Sequence, residues 1–183
     1  MKYLIKNDRI GFRSISLKEN DISKYLDWVN NGLITEYLES LKFPISEDQL
    51  LKFISNQNES PNVAFFGVHD IKNDEWIGNV KLGPIDWIHR KAYYGRLIGN
   101  SDYWGKGIGT DISKLITSYA FNNLNLNKVY AGAVANNIGS IKSNEKAGLK
   151  IEASFKNDVF VKGEWTDRVV MTINRKDYLS NEK

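Results

Sequence analysis

Apolar residues in the first third of the chain follow one strand pattern and two helical patterns. Residues 10–15 form an apolar-rich run that predicts a short strand. After Pro44, a capping-box spacing begins at Ser46, with Gln49 three residues later, so a helix is expected to start there. An earlier helix is indicated by four apolar residues that share the spacing of one helix face: Ile22, Tyr25, Leu26 and Val29.

The rest of the chain alternates further strands with two more helices. Helical spacing runs over residues 108–120 and again over 137–147, where Gly148 is expected to end the helix. Gly83-Pro84 is expected to break the strand that precedes it. Six segments have the composition of strands: residues 63–68, 76–82, 92–99, 129–134, 151–161 and 165–173. Because helices and strands are interspersed without repeat or linker, we predict a single domain over residues 1–183, of mixed α/β (α+β) class around one sheet.

Composition narrows the class of protein further. The 183 residues are 42% hydrophobic and 26% charged, without an apolar run long enough for a membrane span, and the first residues lack the apolar core of a signal peptide. We therefore expect a cytoplasmic protein that does not bind membranes. The net charge of +3 is not gathered into a basic stripe, so nucleic acid is not an expected partner. The absence of cysteine excludes disulfides, thiolate-bound metals and a cysteine nucleophile, and no metal is expected.

The most informative segment is the glycine-rich turn Trp104-Gly105-Lys106-Gly107-Ile108-Gly109-Thr110, between the strand predicted at 92–99 and the helix that follows. Glycine lets the backbone approach a ligand and adopt positive φ. The first turn of a helix leaves N–H groups without partners and carries partial positive charge. An anion such as a pyrophosphate is the expected occupant.

Two common phosphate-binding motifs do not fit this turn. A Walker A loop has four residues between its first glycine and its Gly-Lys pair, followed by Ser or Thr. Here Gly99 and Gly105 enclose five residues, and Gly107 follows the lysine. A dinucleotide fingerprint would require glycine where Thr110 or Ile112 stands.

The sequence resembles the GNAT superfamily of N-acetyltransferases, and within it the ribosomal-protein N-acetyltransferase-like branch. The pyrophosphate motif of that family, Arg/Gln-x-x-Gly-x-Gly/Ala, is similar to Trp104-x-x-Gly107-x-Gly109, with Trp104 departing from the usual first residue. The second family motif, Asn-x-x-Ser followed by Glu-Lys-x-Gly-Phe, is similar to Asn137-Ile138-Gly139-Ser140 and Glu145-Lys146-Ala147-Gly148-Leu149. Phe43-Pro44-Ile45-Ser46 also resembles the branch, and the likeness covers about residues 8–178.

The resemblance implies a mostly antiparallel sheet that splays between the fourth and fifth predicted strands, residues 92–99 and 129–134, flanked by about four helices. Acetyl-CoA, the implied co-substrate, would lie in the splay, with Lys146 near one of its phosphates and with Ser140 and Asn144 near its thiol. The implied pantetheine contacts are Leu97, Ile98, Gly99 and Asn137. The implied pyrophosphate contacts are Trp104, Gly105, Lys106, Gly107, Ile108, Gly109 and Thr110.

Acetyl transfer to an amine requires a base for the amine proton, a donor for the oxyanion and an acid for the departing thiolate. Many family members have a tyrosine seven residues after the motif asparagine, where this chain has Asn144, and many in the branch have a glutamate where Tyr93 stands. Either Asn144 and Ser140 only hydrogen-bond the thiol, or a tyrosine from elsewhere serves. Each of the remaining candidates for acid or base also has a purely structural explanation: Asp86, His89, Tyr94 and Asp167.

The acceptor of the acetyl group stays open at the level of sequence. The resemblance implies a small-molecule or peptide amine, and the loop over residues 83–90 looks like that of members that act on nucleotide-linked amino sugars. A protein N-terminus and a small amine such as an aminoglycoside are the other acceptors considered, and the protein is expected to be a monomer or homodimer. The aromatic residues that either line an acceptor pocket or belong to the core are Trp28, Tyr37 and Phe43. The alternatives to an enzyme of this kind are a non-catalytic acyl-CoA-binding sensor or interaction module and, less favoured, a nucleotide-dependent enzyme.

Overall fold

A computed structural model describes residues 2–15, 22–38 and 43–181, and the statements below concern these residues. The strands are β1 (Ile5–Lys6), β2 (Ile10–Ser14), β3 (Ala64–Asp70), β4 (Trp76–Asp86), β5 (Lys91–Ile98), β6 (Lys128–Val134), β7 (Lys150–Val161) and β8 (Glu164–Asn174). The helices are α1 (Ile22–Asn30), α2 (Glu47–Glu59), α3 (Ile108–Ser118), α4 (Ile138–Lys146) and α5 (Arg175–Asn181). A 3-10 turn (Ser101–Tyr103) precedes α3, and a π-helical turn (Tyr119–Asn123) follows it.

The strands form one sheet in the order β1-β2-β3-β4-β5-β6-β8-β7. Every neighbouring pair is antiparallel except β5 and β6, which are parallel. That parallel pair is in register only from Lys91↔Lys128 to Tyr94↔Ala131, although β5 continues to Ile98 and β6 to Val134. The predicted mixed α/β fold with a splayed, mostly antiparallel sheet is therefore confirmed.

Two buried clusters hold the helices to the sheet. The larger one contains Ile112 and Ile116 of α3 together with strand residues such as Val80 and Val129, all fully buried. The smaller one joins α1 and α2 to the sheet and includes Tyr25, Trp28 and Trp76. The Trp76 ring lies 5.7 Å from that of Tyr25 and 5.5 Å from that of Trp28, in edge-to-face contact. The helical spacing seen in the sequence thus marks the faces that are buried.

Three features differ from the sequence-based prediction. β4 does not end at Gly83-Pro84 but continues to Asp86. A register shift between Leu82 and Ile85 absorbs the two residues, so that pairing with β5 resumes at Ile85↔Ala92. β1 and α5 were not predicted, because two residues are too few for a strand pattern and the sequence of α5 is largely polar.

The capping box at the start of α2 is present as predicted. Ser46 Oγ accepts a hydrogen bond from the Gln49 N–H at 3.3 Å, and Gln49 Oε1 accepts one from the Ser46 N–H at 2.9 Å. We expect Ser46→Ala to lower the free energy of unfolding by about 1 kcal/mol, measured by urea denaturation. Lys52→Ala, an exposed change on the same helix, serves as the control and should alter it by less than about 0.5 kcal/mol. Equal effects of the two substitutions would contradict this account of the cap.

Candidate active site

A cleft of about 560 Å³ opens where β5 and β6 separate. Residues 94–98 of β5 and 131–134 of β6 form its two inner edges. The glycine-rich turn with the start of α3 closes one side, α4 closes another, and Leu33 and Tyr37 from the loop after α1 contribute a further wall. The cleft therefore lies at the carboxyl ends of two parallel strands, the usual place for a ligand in sheets of this kind.

The glycine-rich turn borders the cleft at Trp104, Gly105, Gly107, Gly109 and Thr110, whereas the other two predicted contacts, Lys106 and Ile108, do not line it. Gly107, the N-cap of α3, has φ 83°, and no side chain caps this end of the helix. The N–H of Thr110 is already used, because it donates to the Gly107 carbonyl at 3.0 Å. The N–H groups of Ile108 and Gly109 donate to no group in the part of the chain that the structure describes. These two amides are the donors that an anion at the helix start would find.

The turn is held from behind by Arg9, a residue that sequence reasoning missed. Its Nη2 donates to the Lys106 carbonyl at 2.7 Å, and its Nη1 lies 2.9 Å from the Asp111 carboxylate. The loop between β1 and β2 thus fixes the turn through a residue that does not itself line the cleft. Gly105 has φ 71° and open space around it.

Two of the three pantetheine contacts predicted at the end of β5 line the cleft, and the third does not. Leu97 and Ile98 line it, and the Ile98 carbonyl accepts a hydrogen bond at 2.9 Å from the indole N–H of Trp104, which also lines it. Gly99 does not line the cleft. Its N–H donates to the Ile77 carbonyl of β4 at 3.0 Å, on the opposite side of the strand, and its Cα packs against the ring of Trp28. Gly99 therefore allows the close packing of Trp28 against the end of β5 and does not contact a ligand in the cleft.

The second motif forms the start and inner face of α4. Asn137 caps the helix, with its Oδ1 accepting from the Ser140 N–H at 3.0 Å. Asn137, Ser140, Asn144 and Lys146 all line the cleft, with Asn144 fully buried and Lys146 exposed. The predicted coenzyme contacts on α4 thus lie on one wall of the cleft, next to the glycine-rich turn, since a Cβ at Gly109 would lie 3.3 Å from Ser143 Oγ. Within the described ranges, no group of three or more acidic or histidine side chains could hold a metal ion.

Beneath the cleft, Arg96 ties β5 to both helices. Its Nη1 lies 2.6 Å from Asn144 Oδ1 and 2.8 Å from Ser113 Oγ. Tyr94, two residues earlier on the same face of β5, donates from its hydroxyl to Asn144 Oδ1 at 2.7 Å. Burial raises the pKa of Tyr94, while the neighbouring Arg96 cation opposes that shift. All acceptors of the guanidinium are uncharged oxygens: those of Tyr94, Ser113, Ser140, Ser143 and Asn144.

A second cavity of about 390 Å³ adjoins the first and shares Tyr37, Leu38 and Gly132 with it. Tyr93, Phe155 and Arg168 line its far side. The Arg168 guanidinium lies 2.7 Å from Asp158 and stands over the Phe155 ring at 5.6 Å. This cavity, with Tyr37, Tyr93 and Phe155 in its lining, is large enough for a small ligand beside the β6 edge of the cleft.

One carboxylate, that of Glu36, lines the cleft among the described residues. Lys162 lies 3.0 Å from it. The hydrogen bonds from Lys162 and Tyr37 hold the pKa of Glu36 below its ordinary value. Glu36 is therefore a carboxylate that already has a cationic partner.

The predicted acid–base candidates Asp86 and His89 do not reach the cleft. Asp86 is the last residue of β4 and His89 lies in the turn that follows it. Asp86 Oδ1 accepts from the His89 N–H at 2.8 Å, which lowers the pKa of Asp86. That turn precedes the first residue of β5, whereas the cleft opens beyond Tyr94 toward the other end of the strand. Asp167 stabilises the β7–β8 hairpin by accepting from Lys156 Nζ at 2.7 Å. None of these three lines either cavity.

Of the three aromatic residues considered for an acceptor pocket, only Tyr37 lines one. Trp28 belongs to the smaller buried cluster, and Phe43 is exposed outside both cavities. Sequence reasoning missed Arg96 and Glu36. A signal for Arg96 was available, since a charged residue inside an otherwise apolar strand is unusual unless it has a polar site to reach.

Comparison with known proteins adds the family. The acetyltransferase (GNAT) domain family matches residues 15–170. A probable N-acetyltransferase of Bacillus subtilis is 34% identical over 113 residues, which are 61% of this chain and 62% of that protein. Spermidine N(1)-acetyltransferase of Escherichia coli is 32% identical over 109 residues, 60% of this chain and 58% of that protein. The chain thus covers less than two thirds of the length of these two relatives.

Solved structures extend the likeness to nearly the whole chain. Spermidine N-acetyltransferase from Vibrio cholerae, in complex with CoA and spermine, superimposes with a TM-score of 0.85 at 25% identity, over 94% of this chain and 99% of that one. A GNAT-family acetyltransferase from Bacillus anthracis shares the fold with a TM-score of 0.79 at 20% identity, over 94% of this chain and 98% of that one. The splayed sheet is therefore common to all three chains in its overall course.

Proposed function

The chain belongs to the acetyltransferase (GNAT) domain family, and from this premise we propose that it is an acetyl-CoA-dependent N-acetyltransferase that transfers the acetyl group directly to a primary amine. The observation that carries the proposal is the gap between β5 and β6, whose mouth holds the free amides of Ile108 and Gly109. A diphosphate suits those amides, and an extended pantetheine suits the two unpaired strand edges. The related Vibrio cholerae enzyme was crystallised with CoA, which supports the same co-substrate here.

Direct transfer follows from the residues available. With no cysteine in the chain, a cysteinyl acetyl-enzyme cannot form. An amine that enters through the second cavity meets the thioester at the junction of the two cavities, near Tyr37 and Gly132. Holding both reactants there supplies proximity, and a backbone N–H of β5 would polarise the thioester carbonyl.

The acceptor is inferred from the charges that line the two cavities. A polyamine such as the spermidine of two relatives carries several cations and requires several free carboxylates. Among the described lining residues only Glu36 is acidic, and Lys162 already pairs with it. In the second cavity Arg168 is likewise paired, with Asp158. Lys142 and Lys146 add two cations to the lining of the cleft. These charges favour an amine whose remainder is polar or anionic, namely a nucleotide-linked amino sugar or a protein N-terminus, over a polyamine.

A panel of amines tests both the transferase activity and the proposed choice of acceptor. Release of CoA is followed with a thiol reagent, which gives no background from this cysteine-free protein. We expect turnover with a nucleotide-linked amino sugar or with a peptide that has a free N-terminus, and at least tenfold lower kcat/KM with spermidine. The same peptide with an acetylated N-terminus is the matched control and should give no turnover.

The contrary outcomes separate the alternatives. Tight binding of acetyl-CoA without turnover on any amine would replace the enzyme by a non-catalytic acyl-CoA-binding module. Spermidine as the best acceptor would refute the acceptor proposal but leave the transferase intact. Preference for ATP or NAD over CoA would refute both the transferase activity and the acceptor proposal.

Four finer assignments stay predictions. Membership of the ribosomal-protein N-acetyltransferase-like branch is supported by the segments 43–46 and 103–107. The other three assignments are a single domain over residues 1–183, a cytoplasmic location and a monomeric or homodimeric state. No helix in the described ranges combines the length and apolar character needed to cross a membrane.

A further inference from the structure

We propose that Tyr94 donates the proton to the sulfur of the departing coenzyme, and that Arg96 and Asn144 position its hydroxyl for that step. The inference deepens the proposed function and rests on it, because it concerns the leaving group of acetyl transfer. It makes Tyr94 a catalytic residue and assigns Arg96 and Asn144 a positioning role.

The place of Tyr94 in the sheet is the first argument. Tyr94 pairs with Ala131, and this is the last pair before β5 and β6 separate. Its side chain is 4% exposed, yet it lines the cleft. A coenzyme whose diphosphate lies at residues 107–109 and whose arm enters the gap would bring its thioester toward this closed end. Tyr94 is therefore the phenol nearest to where the C–S bond must break.

The hydrogen bonds around Asn144 are the second argument. A guanidinium can only donate, so the atom of Asn144 that faces Arg96 at 2.6 Å must be the oxygen. This fixes the amide, and its Nδ2 then has no partner in the described structure although the side chain is fully buried. An unpaired buried donor beside the Tyr94 hydroxyl calls for an acceptor from the ligand. A sulfur that gains negative charge would supply one.

The charge of Arg96 is the third argument. The guanidinium is partly buried and makes no ion pair with any carboxylate of the described residues. A cation in this setting favours negative charge nearby, and the departing thiolate develops such charge. Burial raises the pKa of Tyr94, so its phenol stays protonated at neutral pH, as a proton donor must.

The other phenol that lines the cleft is less suited to the step. The hydroxyl of Tyr37 is hydrogen-bonded to Glu36, which raises the pKa of Tyr37 by favouring its protonated form. Tyr37 also lies on the wall toward the second cavity, where the acceptor enters. Among the described residues, the cation nearest to its hydroxyl in these contacts is Lys162, and Glu36 already engages it at 3.0 Å.

The amine nitrogen attacks the carbonyl carbon and forms the C–N bond, and its extra proton passes to water. Collapse of the intermediate breaks the C–S bond, and the sulfur keeps the electron pair while it takes the proton from the Tyr94 hydroxyl. The phenolate, stabilised by Arg96, regains a proton from water. Acetyl-CoA and amine are thereby converted into amide and CoA.

The first test uses the substitution Tyr94→Phe, which keeps the ring and removes the hydroxyl. We expect kcat with acetyl-CoA to fall about a hundredfold or more, while the Kd of acetyl-CoA changes less than about threefold. With acetyl-seleno-CoA as donor, the kcat of the variant should approach that of the unchanged protein, because a selenolate leaves without protonation. Tyr119→Phe, which removes a partly buried phenol hydroxyl outside the cleft, is the control and should leave kcat unchanged.

Two results of that test would overturn the proposal. An unchanged kcat for Tyr94→Phe would show that the hydroxyl takes no part in the reaction. An equal loss with both donors would show a structural effect that does not depend on the leaving group.

A second test requires no acceptor amine, so it decides the inference even if no amine is turned over. If Tyr94, Arg96 and Asn144 favour the thiolate, the pKa of the CoA thiol falls on binding, and affinity must rise as pH rises through that lowered value. For a lowering of about one unit, the affinity for CoA should rise about fivefold between pH 7 and pH 9, relative to desulfo-CoA. Both Tyr94→Phe and Asn144→Asp, which gives Arg96 a counter-ion, should reduce this rise to less than about twofold. Equal pH dependence for CoA and desulfo-CoA in the unchanged protein would refute the assignment.

Discussion

The substitution Gly107→Val will weaken the binding of CoA about a hundredfold or more. Gly107 has φ 83°, a conformation that a β-branched residue adopts only with strain, and it is the N-cap of α3. If the turn relaxes to a negative φ, the N–H groups of Ile108 and Gly109 no longer converge on one point. Two hydrogen bonds to a charged phosphate, each worth about 1.5–3 kcal/mol, would be lost. Isothermal titration with CoA measures the change directly.

A matched control separates this effect from strain alone. Gly163, in the turn between β7 and β8, has φ 84° and no atom within 4 Å of the Cβ that a substitution would add. Gly163→Val therefore introduces the same backbone strain at a site that lines neither cavity. Its stability should fall, while its affinity for CoA should stay unchanged. If Gly107→Val binds CoA as tightly as Gly163→Val does, the diphosphate does not lie on this turn.

The second large effect is expected from Gly99→Ala, which should lower the free energy of unfolding by about 3 kcal/mol. A Cβ at this position would lie 1.9 Å from Cδ2 of Trp28, well inside van der Waals contact. The indole cannot move away easily, because it is buried and packs against Trp76. A loss of this size in a protein of 183 residues corresponds to a Tm lower by roughly 6–12 °C.

Two further variants make this prediction specific. Gly95→Ala on the same strand places its Cβ in open space, so its effect on unfolding should be less than about 1 kcal/mol. Trp28→Leu removes the ring that causes the overlap. Combined with Gly99→Ala, it should show a total loss smaller than the sum of the two single losses. Additive losses would mean that the contact with Trp28 is not the cause.

Much of the fold could be predicted because its determinants are local. The spacing of apolar residues on α1 and α3, and the capping box of α2, depend only on neighbours along the chain. The course of β4 through Gly83-Pro84 could not be read in this way, because the register shift that permits it is made by the partner strand β5. The two-residue β1 likewise exists only because β2 pairs with it.

The residues of the candidate site also fall into those predicted from local motifs and those that depend on non-local contacts. The glycine-rich turn and Asn137 belong to short motifs, and Asn137 and all residues of the turn except Lys106 and Ile108 line the cleft. Asp86 and His89 were attractive because they precede the strand that forms one edge of the cleft. They were misplaced because the two parallel strands part at their carboxyl ends. Apart from Tyr94 on the same strand, the hydrogen-bond partners of Arg96 lie 17 to 48 positions away in the chain, so no spacing within one element predicts them.

The parted ends of β5 and β6 also bear on how long the protein survives in a cell. Two strand edges without a partner in the middle of a sheet have low local stability, so local unfolding and proteolysis would begin there. A coenzyme that binds both edges would oppose this unfolding. At a hundred times its Kd, it would add about 2.7 kcal/mol to the stability of the folded state. Cells starved of acetyl-CoA and CoA would then degrade the protein faster, so its abundance would follow their supply.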